Sequence, residues 1–60
     1  MNGAAEHANV RFAELAHRVG IPPLPTLAKD MPLADGMQLV AENCITLIEA
    51  LIDKMEEHNG

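Results

Sequence analysis

The sequence predicts an all-α chain. It reads as a helix, a proline-rich elbow and a longer helix, folded as a helical hairpin that assembles into a symmetric oligomer, a four-helix bundle if dimeric. Three observations predict this. Apolar residues recur at helical spacing in two separate stretches. Four prolines fall in the segment between them and in no other place. The apolar face of the second stretch is wider than one neighbouring helix covers. All of residues 1–60 belong to one domain.

The first helix is expected from about residue 3 to residue 19. Met1, Ala5, Ala8, Phe12, Leu15 and Val19 recur at spacings of four and three, which makes a heptad seam. Ala16 widens that seam beside Phe12. Its first half is built from alanine, so another helix can approach closely there. Glu14 and Arg18 are placed for a favourable pair on the helix surface. Gly20 follows Val19 and suits the left-handed position after a helix end. Pro22 and Pro23 forbid continuation.

The connector is expected over about residues 20–33. Pro22, Pro23, Pro25 and Pro32 stiffen it toward an extended conformation. Ile21, Leu24, Leu27 and Met31 alternate with them, which is too apolar for a solvated linker. The connector is therefore expected to pack down and close one end of the helical core. Thr26 to Asp30 offers a single helical turn. Pro22 and Pro25 have the spacing of a ligand for an aromatic groove, but a rigid, half-buried connector is the better reading of them.

The second helix is expected over about residues 34–57. Asp35 and Gln38 resemble a capping box, and a start at Pro32 is also compatible with a first helical turn. Leu33, Met37, Val40, Cys44, Leu47 and Leu51 form one apolar stripe. Ala41, Ile45, Ile48, Ile52 and Met55 form a second beside it. Together they cover about 160° of the helix at 100° per residue. The first helix fills only part of that arc. The expected core and oligomer interface is therefore Phe12, Leu15, Val19, Met37, Val40, Cys44, Ile45, Leu47, Ile48, Leu51, Ile52 and Met55, with Leu47, Ile48 and Leu51 at its centre.

Size points the same way. A chain of 60 residues buries too little apolar surface to exceed comfortably the cost of ordering it, and small domains recover the difference by disulfides, metals or association. Cys44 is the only cysteine, so no disulfide forms within the chain, and a buried apolar thiol is expected there. Association is left, and the expected first partner is a second copy.

Composition excludes several functions. Four Lys and Arg stand against nine Asp and Glu, and Phe12 is the only aromatic residue. Nucleic-acid binders need cationic surface, and single-strand binders need stacking platforms, so no direct nucleic acid is expected. An anionic membrane repels the chain for the same reason. No apolar run reaches the ~18 residues of a membrane span, and Met1 to Ala8 lacks the pattern of a signal peptide. A cytoplasmic location is expected.

No chemistry is assembled. His7, His17 and His58 share no ligand spacing, whereas zinc needs three or four converging groups. Thr26 and Thr46 are the only hydroxyl side chains, and no nucleophile with its base is evident. Gly3, Gly20, Gly36 and Gly60 are scattered, so no phosphate-cradling loop exists. No enzyme, metal or cofactor is expected.

One charged feature remains. Glu42, Glu49, Asp53 and Glu56 fall within about 60° on the side away from the apolar stripes. A solvated face that keeps a sticky helix soluble accounts for them. They also suit docking against a basic protein surface, and Glu57 beside them adds to a charge that opposes the helix dipole. The expected function is a small acidic interaction module, homo-oligomeric, that binds and modulates a larger protein as inhibitor, adaptor or small regulatory subunit. Two alternatives stand beside it. One is a non-autonomous small subunit docking its wide apolar face on a different protein. The other is an inhibitor whose acidic stripe mimics a nucleic-acid backbone.

Overall fold

Two helices and no strand make up the described residues, which in this computed structural model are 2–59, with side chains described from residue 3 to residue 59. Helix α1 spans Asn2–Val19 and helix α2 spans Leu33–Asn59. Met1, placed above at the start of the α1 seam, lies outside the described residues.

Helix α1 ends by the mechanism its sequence calls for. Gly20 has φ 86°, the left-handed region that costs glycine little. Its N–H donates to the carbonyl of Ala16 at 2.9 Å, and the N–H of Ile21 donates to the same carbonyl at 3.0 Å. Carbonyls that the last turn would leave orphaned are thereby satisfied.

Helix α2 starts one residue earlier than expected and runs two residues further. The carbonyl of Pro32 accepts the first helical bond, from Gly36 N–H at 3.0 Å. Asp35 therefore stands inside the first turn, where its charge complements the helix dipole, and it does not cap. Gln38 does not close a capping box either. Its amide Nε2 donates to the Glu42 carboxylate Oε2 at 2.9 Å, one turn on. The turn expected over Thr26–Asp30 shrinks to a single hydrogen-bonded turn at Lys29 and Asp30, closed by Met31 N–H donating to Ala28 O at 3.3 Å.

The connector takes a course that the sequence reading did not anticipate. It does not cap one end of the core. It turns back at Gly20 and runs extended alongside both helices. Asn9, midway along α1, grips it with both side-chain atoms: Leu27 N–H donates to Asn9 Oδ1 at 2.8 Å, and Asn9 Nδ2 donates to Leu27 O at 3.1 Å. From α2, Asn43 Nδ2 donates to Pro25 O at 3.0 Å. Prolines leave the carbonyls of an extended segment without partners of its own. The two asparagines supply them.

The chain thus reverses twice, and its two helices run parallel. Asn9 and Asn43 meet the same stretch of connector. The Lys54 ammonium lies 3.6 Å from where a Gly20 Cβ would stand. Asn9 to Gly20 and Asn43 to Lys54 are both eleven residues, a climb of about 16 Å at 1.5 Å per residue. Two contacts keep step only if the helices point the same way. The molecule is accordingly a rod, 44 × 19 × 14 Å, three segments side by side.

The core of the single chain lies where α1, the connector and α2 converge. Ala16, Val19 and Leu47 are its buried apolar residues, and Asn43 is enclosed with them at 3% exposure. Ala5, Ala8, Phe12 and Leu15 are half-buried around it, as are Ile21, Leu24, Leu27 and Met31 of the connector. The described part of the α1 seam therefore faces inward as its spacing requires. Small residues allow the approach: in the register set by Asn9 and Gly20, Ala16 stands level with Ala50, which is also half-buried.

Candidate interaction surface

Three apolar rows compete for the inner side of α2, and one wins. Gly36, Val40, Asn43, Leu47, Ala50 and Lys54, at spacings of four and three, form the row turned toward α1 and the connector. Gly36 is small enough to let Leu27 Cδ2 and Met31 Sδ come within 3.6 and 3.8 Å of its missing Cβ. Of the expected centre, only Leu47 is enclosed within the chain. Ile48 is 55% exposed and Leu51 51%. Cys44 is exposed as well, so the buried thiol expected above is not found within one chain. The inner row turns one step away from it, through Asn43.

Of the remaining expected interface positions, Val19 is buried, and Phe12, Leu15 and Val40 are half-buried. Met37, Ile45, Ile52 and Met55 are exposed. The chain consequently carries a stripe of uncovered apolar side chains along α2, from Leu33 to Met55, about 33 Å long at helical rise. At its lower end the stripe opens into an apolar groove of about 590 Å³, where Leu33, Met37 and Val40 face Ala5, Leu27 and Met31, with Lys29 on the rim.

Glu42, Glu49, Asp53 and Glu56 are exposed on the other side of α2. The Glu42 carboxylate is engaged by Gln38 of its own helix; the other three are presented to solvent further along. The two faces are separate: one is apolar and continuous, the other acidic.

Asn9 and Asn43 are the residues that sequence reasoning missed. A signal existed. Asn9 falls in line with Ala5, Phe12, Ala16 and Val19, and Asn43 with Leu47 and Ala50, so each interrupts an otherwise small or apolar row. A polar side chain at such a position is retained only with hydrogen-bond partners, and a neighbouring proline-rich segment has free carbonyls to offer.

Among the described residues no three His, Cys, Asp or Glu side chains converge on a metal position, and no helix is long and apolar enough to cross a membrane. No protein-family model matches the chain, and neither a curated protein nor a solved structure matches it.

Proposed function

We propose that the chain is a helical association module that pairs with a second copy through the apolar stripe of α2 and, in that form, binds and modulates a larger protein. One observation carries this reading: seven large apolar side chains on α2, Leu33, Met37, Ile45, Ile48, Leu51, Ile52 and Met55, are 48% to 79% exposed in the single chain. Monomeric proteins rarely leave a continuous patch of this kind in water.

The magnitudes are adequate. Fully burying one such side chain is worth about 1.5–3 kcal/mol, so covering the exposed half gains about 1 kcal/mol each. Two copies together gain about 14 kcal/mol, against about 4–15 kcal/mol for lost freedom on association. Covering all seven brings the gain to the upper part of that cost range, which one or two residues would not approach.

Sedimentation equilibrium at micromolar concentration tests this. The expected mass is twice the 6.5 kDa of the chain or a higher multiple. A folded monomer sinks the reading. A chain that aggregates or stays molten alone and becomes ordered only with a different protein establishes the non-autonomous subunit in its place.

The acidic face supports the second half of the proposal. It lies away from the apolar stripe, so a dimer keeps it free to meet a basic partner. Reversing Glu49→Lys and Asp53→Lys together is expected to leave helix content and oligomeric state unchanged, since exposed substitutions typically alter stability by about 0.5 kcal/mol or less. Affinity for a basic partner recovered by affinity capture should fall about tenfold, or about 1.4 kcal/mol. The native complex should loosen with added salt, because exposed charges are screened over about 10 Å at 0.1 M. Unchanged affinity in the double variant reduces the strip to a solubilising surface.

A further inference from the structure

We infer that the second copy lies antiparallel along α2, about a two-fold axis level with Thr46, so that Met37 meets the partner's Met55, Ala41 meets the partner's Leu51 and Cys44 meets the partner's Ile48. This rests on the self-association proposed above and specifies its geometry.

The first support is the seam itself. Met37, Ala41, Cys44, Ile48, Leu51 and Met55 follow one another at spacings of four, three, four, three and four, and every one of them is exposed. That is the repeat by which two helices pack knobs into holes. The inner row of Asn43 and Leu47 is already occupied by α1 and the connector, so a partner meets the outer rows, of which this seam, from Met37 to Met55, is longer than the one through Ile45 and Ile52.

The second support is size. Along the seam the small residues, Ala41 and Cys44, come first, and the large ones, Ile48 and Leu51, come after. A parallel pair in register stacks alanine on alanine and cysteine on cysteine, then isoleucine on isoleucine and leucine on leucine. Helix separation follows the side chains at the contact, over about 8–10 Å, so such a pair is too wide at one end or hollow at the other. Reversing one helix gives every central layer one small and one large residue. The outer layers then pair methionine with methionine, whose flexible side chains fill irregular gaps.

The third support is charge. Glu49, Asp53, Glu56 and Glu57 gather in the second half of α2. A parallel pair sets two such clusters and two negative helix ends side by side. An antiparallel pair separates them. It brings Glu56 and Glu57 of each copy level with the first turn of the other's α2, whose dipole favours negative charge even though Asp35 already stands in that turn, and Lys29 lines the groove beside it. Helix α2 is also free to reach there. Gly20 at the end of α1 stands level with Lys54, so Met55 to Asn59 extend past α1.

Cysteine cross-linking tests the register. In the antiparallel pair the two Cys44 residues are offset by four residues, about 6 Å along the axis before the gap between helices is added. With about 5 Å between the facing Cα atoms of helices about 10 Å apart, the separation comes to about 8 Å, beyond the ~7 Å that a disulfide spans. Air oxidation of the native dimer with copper phenanthroline is therefore expected to leave it non-covalent. In a Cys44→Ala background, Met37→Cys and Met55→Cys chains are expected to cross-link when mixed, with at least ten times the yield of either alone. Rapid Cys44 cross-linking, self-linking of the single variants, or no link in the mixture overturns the register. Sedimentation separates these results from failure of the underlying proposal: a wrong register leaves a dimer, whereas a monomer removes both.

Discussion

Replacing Ile48 with aspartate is expected to convert the proposed dimer into a helical monomer. Ile48 sits near the middle of the uncovered stripe and is 55% exposed in the single chain. A carboxylate there is solvated as long as the chain is alone. In a symmetric pair both copies carry it into the interface. An unpaired charge taken out of water costs several kcal/mol, and about 3 kcal/mol already weakens association more than a hundredfold. The variant should sediment at 6.5 kDa at micromolar concentration, where the native chain is expected at twice that mass. Its thermal midpoint should no longer rise with concentration, since that dependence belongs to linked association. Ile48→Val, which keeps the seam apolar, should remain dimeric. An aspartate variant that dimerises as well as the native chain removes Ile48 from the interface and takes the stripe with it.

Truncating Leu47 to alanine acts on the other side of the same helix, and through folding. Leu47 is 7% exposed and closes the space between α1, the connector and α2. Leucine-to-alanine changes in cores cost about 2–5 kcal/mol, the spread reflecting how far the site can collapse. The chain has little reserve against such a loss. Its buried apolar residues are Ala16, Val19 and Leu47, and domains this small hide a modest fraction of their surface. Helix content at 25 °C should drop, and the denaturation midpoint should fall by the corresponding amount. Unlike the Ile48 change, this one should lower stability at every protein concentration. Circular dichroism during urea titration, repeated at two concentrations, separates the two effects. A Leu47→Ala variant that melts with native cooperativity and midpoint places the core elsewhere.

These neighbours differ because Leu47 lies on the row turned inward and Ile48 does not. Local chemistry is explicit along the chain. Gly20 after Val19, the prolines that follow and the two runs of helical spacing specify two helices whose ends are right to within two residues. On α1 the large apolar residues other than Val10, which is 56% exposed on the far side, gather on one side, so spacing identifies Phe12, Leu15 and Val19 as inward-facing. On α2 the apolar residues spread over about 160°, and spacing offers several rows of equal merit. Hydrophobicity favoured the rows through Cys44, Ile48 and Leu51. The chain uses the row through Gly36, Asn43, Leu47 and Ala50.

The amino-acid sequence by itself determined the helices, the break between them, the inward side of α1 and the excess of apolar surface on α2. These depend on backbone geometry and residue type within one or two turns. The tertiary structure alone decided which row of α2 turns inward, the course of the connector and the parallel direction of the helices. The physical reason is the pair of asparagines. The carbonyls of a proline-rich segment bond to water where no donor is near, and Asn9 and Asn43 offer protein donors at the same level of two different helices. Their hydrogen bonds draw the connector along both helices, and small residues at Gly36, Ala16 and Ala50 let the three segments close up. Side-chain bonds of that kind join positions 18 residues apart, so no local period records them, and the apolar stripe is left facing outward as their consequence.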